Sequence, residues 1–308
     1  MVGSILGLFS AAAFGANAII TRRGMLRVSS NFIATISIFT GPVFFSMAAW
    51  ITGDLFKLGQ FSWQVYGFFA LSGICHFALG RTWAYRSIQL IGANRSNIVT
   101  GLNPIVTIVL AMTILKESMT LLMGIGMICT LTGPIFIVLK EQVVLTTNPL
   151  KASVPGKDLD RSTLYRGIVY GIGSAIFWGS SAIFIKLGLD AGGSPIDGSL
   201  IAYSAASLTI MPSALFNRKH REEIIHGDKI SFKIALFSGL TTNIAQLLRF
   251  LALGFGSVIV VSLVQRTVPL WVLVFGFAFN REYESFSRWV LLGNGLLVAG
   301  TVLIFVSS

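Results

Sequence analysis

Gly7-Leu8-Phe9-Ser10-Ala11-Ala12-Ala13-Phe14-Gly15 lies over Gly171-Ile172-Gly173-Ser174-Ala175-Ile176-Phe177-Trp178-Gly179, and Ala18-Ile19 then falls over Ala182-Ile183. Both stretches belong to apolar runs, so the match is between two halves of the chain offset by 164 to 168 residues. The correspondence continues. Arg81-Thr82-Trp83-Ala84 matches Arg249-Phe250-Leu251-Ala252, Pro104 precedes Glu117 by the same thirteen residues that separate Pro269 from Glu282, and the pairs Gly126/Gly133 and Gly293/Gly300 share a spacing of seven. Gly and Ala are common in membrane helices, so no single match is specific. Their shared order marks an internal repeat.

Composition supports the membrane reading. Of 308 residues 54% are hydrophobic and 11% charged, and the mean hydropathy is +0.79. Soluble domains carry about 25% charged residues, so a water-soluble globule is excluded. The 23 Lys and Arg against 12 Asp and Glu give a formal charge of +11, which in a soluble protein would point to nucleic acid. Here the basic residues mostly lie between apolar runs and orient the chain in a lipid bilayer, so no nucleic-acid partner is expected. Cys75 and Cys129 sit inside apolar stretches, where they form neither a disulfide framework nor a metal site. No metal or other cofactor is expected.

Crossing about 30 Å of hydrocarbon at about 1.5 Å per residue takes about 20 residues. Ten apolar runs qualify, near 2-20, 30-51, 63-85, 96-115, 119-139, 164-186, 198-217, 231-253, 257-279 and 287-306. Ala16-Asn17-Ala18 resembles a signal-peptide cleavage site, but no basic residue precedes it, so the first run reads as a span. Residues 140-163, KEQVVLTTNPLKASVPGKDLDRST, form a polar linker with two prolines. The division is therefore a first five-helix repeat over 1-139, the linker, and a second repeat over 164-308. An odd number of spans per half makes the second half enter from the opposite side. The expected fold is an all-α membrane protein with ten transmembrane helices in two inverted five-helix repeats around a central cavity, an architecture suited to alternating access.

The aromatic-Gly steps Phe14-Gly15 and Trp178-Gly179, the Pro-to-Glu spacing in spans four and nine, and the Gly pairs of spans five and ten resemble the drug/metabolite transporter superfamily, EamA type. The resemblance covers nearly the whole chain. It implies a ten-helix basket whose cavity is lined mainly by spans one, three, four, six, eight and nine, with both termini in the cytoplasm. It also implies export or exchange of small metabolites.

A charge at the bilayer centre costs about 3 kcal/mol on insertion scales, so polar groups there face the bundle interior or water. Three basic residues remain well inside spans: Arg81, Arg249 and Arg266. In span eight Asn243, Gln246 and Arg249 recur every third residue, and in span nine Ser262, Gln265 and Arg266 share a face. Asn97, Thr100, Asn103 and Thr107 make a similar stripe in span four, span three adds His76, and span one adds Asn17. As a group these residues are expected to line the substrate cavity. Individually, Asn and Gln also serve as interhelical bridges, Arg81 and Arg249 lie near span ends within reach of the surface, His76 suits packing as well as function, and Trp178 suits a cavity wall or a substrate cage. Pro104 and Pro269 are expected to bend their helices and to act as hinges. Glu117 and Glu282, in tight turns, are expected to cap the helices that follow them.

With no Asp or Glu in mid-membrane and three Arg available, the interior suits a carboxylate or phosphate, which Arg binds with paired hydrogen bonds. An amino acid or other small organic acid is the expected substrate of a secondary transporter, and a phosphorylated, sugar-like metabolite the alternative. Lipophilic cations fit least. Only His76 offers a side chain type that titrates near neutrality inside a span, so facilitated diffusion or exchange is as plausible as proton antiport. A membrane-embedded enzyme is disfavoured. No H-E-x-x-H, membrane aspartate pair or Ser/His/Asp set occurs, and His220 and His226 sit in a loop with Arg218, Lys219 and Arg221. A lipid flippase remains the other alternative. The working unit is expected to be a monomer or homodimer in the cell (inner) membrane.

Loops after odd-numbered spans, counted with Arg166, Lys233 and Arg288 at the adjoining span ends, hold seventeen Lys and Arg, and those after even-numbered spans, counted with Lys186, three. The positive-inside rule therefore puts both termini outside, against the family pattern. A reporter fused after Ser308 is expected to be active only when exported; cytoplasmic activity would reverse the assignment.

Overall fold

A computed structural model describes residues 1–24, 27, 29–133, 161–216, 221–222, 225, 227–279 and 288–307. The end of span five, linker residues 140–160, Arg218, Lys219, His220, His226, Arg281 and Glu282 lie outside the described residues. Among those described, regular structure is entirely helical.

The first two spans are α1 (Val2–Gly24) and α2 (Ser30–Thr52). The Ser29 hydroxyl caps α2 by accepting from the Phe32 amide at 3.1 Å, and Gly53 ends it at φ 78°, a left-handed conformation glycine adopts without steric cost. Span three is α3 (Trp63–Gly73), a π-helical turn (Ile74–Gly80) and α4 (Arg81–Ile91). Span four divides into α5 (Ala93–Thr100) and α6 (Asn103–Ile114), and the described part of span five is α7 (Leu121–Gly133). In the second half, α8 (Arg161–Asp190) and α9 (Pro195–Phe216) precede α10 (Lys229–Phe255). Span nine divides into α11 (Val258–Val264), a 3-10 turn (Gln265–Thr267) and α12 (Val268–Phe279), and α13 (Arg288–Ser307) completes the half. Residues 161–163, expected in the linker, already belong to α8. Among the described residues six segments are long and apolar enough to cross a membrane, and shorter apolar helices accompany them.

Packing follows the repeat. The contact of α1 with α10 is mirrored by that of α8 with α3 and α4, and α1 with α12 is mirrored by α8 with α6. Equivalent helices also meet each other antiparallel. A Cβ at Gly126 would lie 2.7 Å from the Gly300 carbonyl oxygen and one at Gly133 only 2.6 Å from that of Gly293, so α7 and α13 run in opposite directions in backbone contact. Likewise α2 meets α9 with Tyr203 over Gly41 and Ser207 donating to the Ile38 carbonyl at 3.4 Å. Pro42 leaves that carbonyl without its ordinary helical donor.

Glu117 corrects one expectation. It caps α11 in the other half and not the helix that follows it. Its carboxylate accepts from the Ser257 hydroxyl at 2.6 Å and from the Val258 and Ile259 amides at 2.7 and 3.0 Å, which satisfies orphan N–H groups next to the positive end of the helix dipole. The preceding Lys116, at φ 56°, makes the turn that places it. This end of the bundle is dry, with Val258, Ile259, Val261, Leu263, Phe69 and Leu253 fully buried.

The glycine contacts give a direct test. Gly126→Ala, which presses a methyl on the Gly300 backbone, is expected to destabilise the protein by roughly 1–3 kcal/mol in detergent melts. Gly295→Ala meets open space and is expected to be neutral or stabilising by up to about 1 kcal/mol. Equal effects would contradict the helix contact.

Candidate substrate site

The site begins in the π-helical turn. One extra residue per turn rotates His76 inward and leaves backbone carbonyls off the regular ladder, a feature common at functional positions. The Trp178 indole N–H, from α8, donates to the His76 carbonyl at 3.0 Å and braces the turn, and its ring lies 6.4 Å from the imidazole. Around the imidazole, Nδ1 is 3.2 Å from Ser181 Oγ and 3.2 Å from an Arg249 guanidinium nitrogen, and Nε2 is 3.2 Å from Gln246 Nε2. A second Arg249 nitrogen donates to Ser181 Oγ at 3.2 Å. Arg249 is 7% exposed and Gln246 1%, and the Gln246 carbonyl oxygen has no hydrogen-bond partner. Spans three, six and eight thus converge on one buried guanidinium. No described carboxylate pairs with it.

A second cation sits where the broken spans face each other. Arg266, in the 3-10 turn of span nine, donates to the Gly101 carbonyl at 3.4 Å and to the Asn103 side-chain oxygen in the break of span four. Its Nε is buried without a partner. Gln265 beside it donates to Ser10 Oγ at 3.0 Å, which donates on to the Ala245 carbonyl at 2.7 Å. Pro104 and Pro269 each follow a departure from the α-helical ladder, at Gly101–Leu102 and at Gln265–Thr267. Each is the second residue of a half-helix, α6 and α12, where its missing N–H would have no partner anyway. The breaks precede the prolines, and the carbonyl exposed at Gly101 is satisfied by Arg266.

The other expected residues are placed elsewhere. The Asn17 oxygen accepts from Ser238 at 2.7 Å, Thr241 at 3.2 Å and Thr21 at 3.4 Å, joining α1 to α10. Asn243 is fully buried, its amide nitrogen 3.4 Å from Thr40 Oγ1 and its oxygen unpartnered. Asn97 is exposed on α5 and does not join the buried cluster. Thr100 and Thr107 spend their hydroxyls on backbone carbonyls. Arg81 lies 5.7 Å over the Phe77 ring and donates to the Ala34 carbonyl at 3.3 Å.

A cavity of about 610 Å³ opens at one end of the bundle, among Asn31, Arg81, Thr82, Arg86, Gln89 and Ser213. Of the expected site residues only Arg81 lines it. Phe77, also on its wall, packs 4.7 Å from the His76 ring, so a single aromatic layer separates this vestibule from the buried cluster. Among the described residues no group of His, Cys, Asp and Glu could hold a metal ion, and Cys75 and Cys129 are free thiols.

Antiparallel related halves with cations at their junction define a membrane protein of the two-repeat transporter class. The EamA-like transporter family profile matches residues 1–139 and 165–306. The chain belongs to that family and is a multi-pass membrane transporter of the drug/metabolite type. No curated protein matches its sequence significantly. Twenty-four chains of solved structures do match it. One, a crystal structure of a protein of 13% identity, superposes with a TM-score of 0.78 over 99% of this chain and 96% of that one, which shows a shared fold.

Two site residues escaped the sequence reading. Ser181, which joins His76 to Arg249, is the repeat equivalent of Asn17, and that equivalence was the available signal. Tyr203 is fully buried between Phe45 and Phe77, its hydroxyl without a hydrogen-bond partner; a phenol isolated in the apolar run 198–217 was the clue. Removing an orphaned buried hydroxyl costs no hydrogen bond. Tyr203→Phe is therefore expected to leave the detergent melting temperature unchanged or raised, and a clear fall would reveal a partner.

Proposed function

We propose that the protein carries a small organic anion, an amino acid or another carboxylate, across the cell membrane by alternating access. The observation that carries this reading is the pair of guanidinium groups inside the bundle, Arg249 buried and Arg266 half-buried, with no described carboxylate to neutralise either. A buried cation without a counter-ion is costly. Among the described residues Arg249 is held by the neutral groups of His76 and Ser181, and Arg266 by Asn103 and the Gly101 carbonyl. An anion entering beside them would supply the missing charge and the paired acceptors a guanidinium prefers. The orphan Arg266 Nε adds a further donor for the carboxylate.

The rest of the fold supports the mechanism. The antiparallel halves, 1–139 and 164–308 joined by 140–163, supply two conformations of similar energy, one facing each side. In the conformation described here the vestibule opens beside the ends of α2, α4 and α9, the end that carries the basic loops, and the opposite end is closed by the apolar cluster around α11. Under the positive-inside rule the vestibule faces the cytoplasm and both termini lie outside. Arg81 and Arg86 at its wall would raise the local concentration of anions.

Uptake into proteoliposomes tests the reading. Carboxylate flux is expected to be saturable and to persist without an imposed pH gradient. Arg249→Gln is expected to lower it by roughly tenfold to a hundredfold, the worth of a charged hydrogen-bonded contact. Transport of lipophilic cations, or carboxylate flux unchanged in Arg249→Gln, would contradict it.

A further inference from the structure

Arg81 and Arg249 hold equivalent positions in the two halves, as do Asn17 and Ser181. Their contacts nevertheless differ. Arg249 reaches Ser181 of its own half at 3.2 Å. Arg81 reaches instead to the Ala34 carbonyl and lines the vestibule, and Asn17 is engaged by Ser238 and Thr241. The helices share the asymmetry: α10 packs on α8, and α1 makes no comparable contact with α3 or α4. Position along the bundle gives this meaning. Arg249 and Ser181 lie toward the ends of α10 and α8 that meet the dry, closed end, whereas Arg81 and Asn17 lie in the parts of span three and α1 nearer the open one.

Related halves of opposite orientation reach their second conformation by exchanging contacts. We infer that Asn17 is the docking partner of Arg81 in the conformation that opens to the other side, and that Arg249 leaves Ser181 in the same step. Arg249 on Ser181 is the closed gate of this structure, and Arg81 apart from Asn17 is its open gate. Asn17 is thus a positioning residue for the opposite-facing state. The guanidinium of Arg81 has donors to spare for it, since a guanidinium carries five N–H groups and the contact with Ala34 takes one. This inference rests on the alternating-access reading above, but its test needs no substrate.

In a Cys75→Ser/Cys129→Ser background, Ser213→Cys places a thiol on the vestibule wall for a membrane-impermeant maleimide. Asn17→Asp, which would hold Arg81 as an ion pair, is expected to slow labelling at least tenfold, and adding Arg81→Gln to restore it. Ser181→Asp, which strengthens the gate already closed, is expected to leave labelling as fast as before. Wild-type labelling in Asn17→Asp, or slowing that persists without Arg81, overturns the inference. An Asn17→Cys/Arg81→Cys pair reads the docking without added charge: a bifunctional thiol reagent whose spacer matches the arginine side chain bridges the two positions if they meet, and a pair left unbridged overturns the inference. Failure here beside Arg249-dependent carboxylate uptake would remove the gate exchange and leave the transport reading standing. Exchange seen without carboxylate uptake would do the reverse.

Discussion

A guanidinium group in a membrane interior with neutral partners alone is the constraint that organises this protein. In hydrocarbon an unsatisfied polar group costs several kcal/mol, so Arg249 must be enclosed by protein, and three spans contribute to the enclosure. The π-helical turn of span three brings His76 to it, the Trp178 indole holds that turn, and Ser181 and Gln246 complete the hydrogen bonds. These neutral groups spread the charge without cancelling it. The proposed anion would supply the charge that they leave uncancelled.

Regular helices could not build this interior, because a continuous helix satisfies its own backbone and presents only side chains. Spans four and nine are interrupted at Gly101–Leu102 and Gln265–Thr267, and the cation of one break answers the carbonyl of the other. Elsewhere the bundle is made rigid by close backbone approach, as where Gly126 meets Gly300 and Gly133 meets Gly293. Glu117 ties the two halves together at the closed end. The protein is thus closely packed around its rim and interrupted at its centre, a distribution that suits the proposed alternating access.

Much of the fold was legible because membrane helices have a length set by lipid and because the repeat preserved the order of Gly, Pro, Arg and Glu. Gly126/Gly133 and Gly293/Gly300 were visible as spacings and became an antiparallel contact. The three intramembrane arginines were legible by the cost of burying charge. Other features depended on tertiary choices a linear pattern does not carry. Nothing near Glu117 says that its carboxylate reaches α11 of the other half rather than the helix after it. Pro104 and Pro269 flagged the interruptions but not their sense, since proline begins a helix as readily as it bends one. The helical period put Asn97 on the stripe of Asn103, and the break at Gly101–Leu102 separates the two, leaving Asn97 exposed. Ser181 was overlooked because a lone serine between Gly179 and Ala182 is ordinary in a packed membrane helix.

The central claim is that the arginines inside the bundle are there to receive an anion. Calorimetric titration of the purified transporter with matched sets of small carboxylates, their neutral amides and organic ammonium ions tests it most directly. Saturable binding confined to the carboxylates, and lost in a double Arg249→Gln/Arg266→Gln variant that keeps its melting transition, is the predicted result. Tight binding of the ammonium ions, or carboxylate binding indifferent to both substitutions, would contradict it.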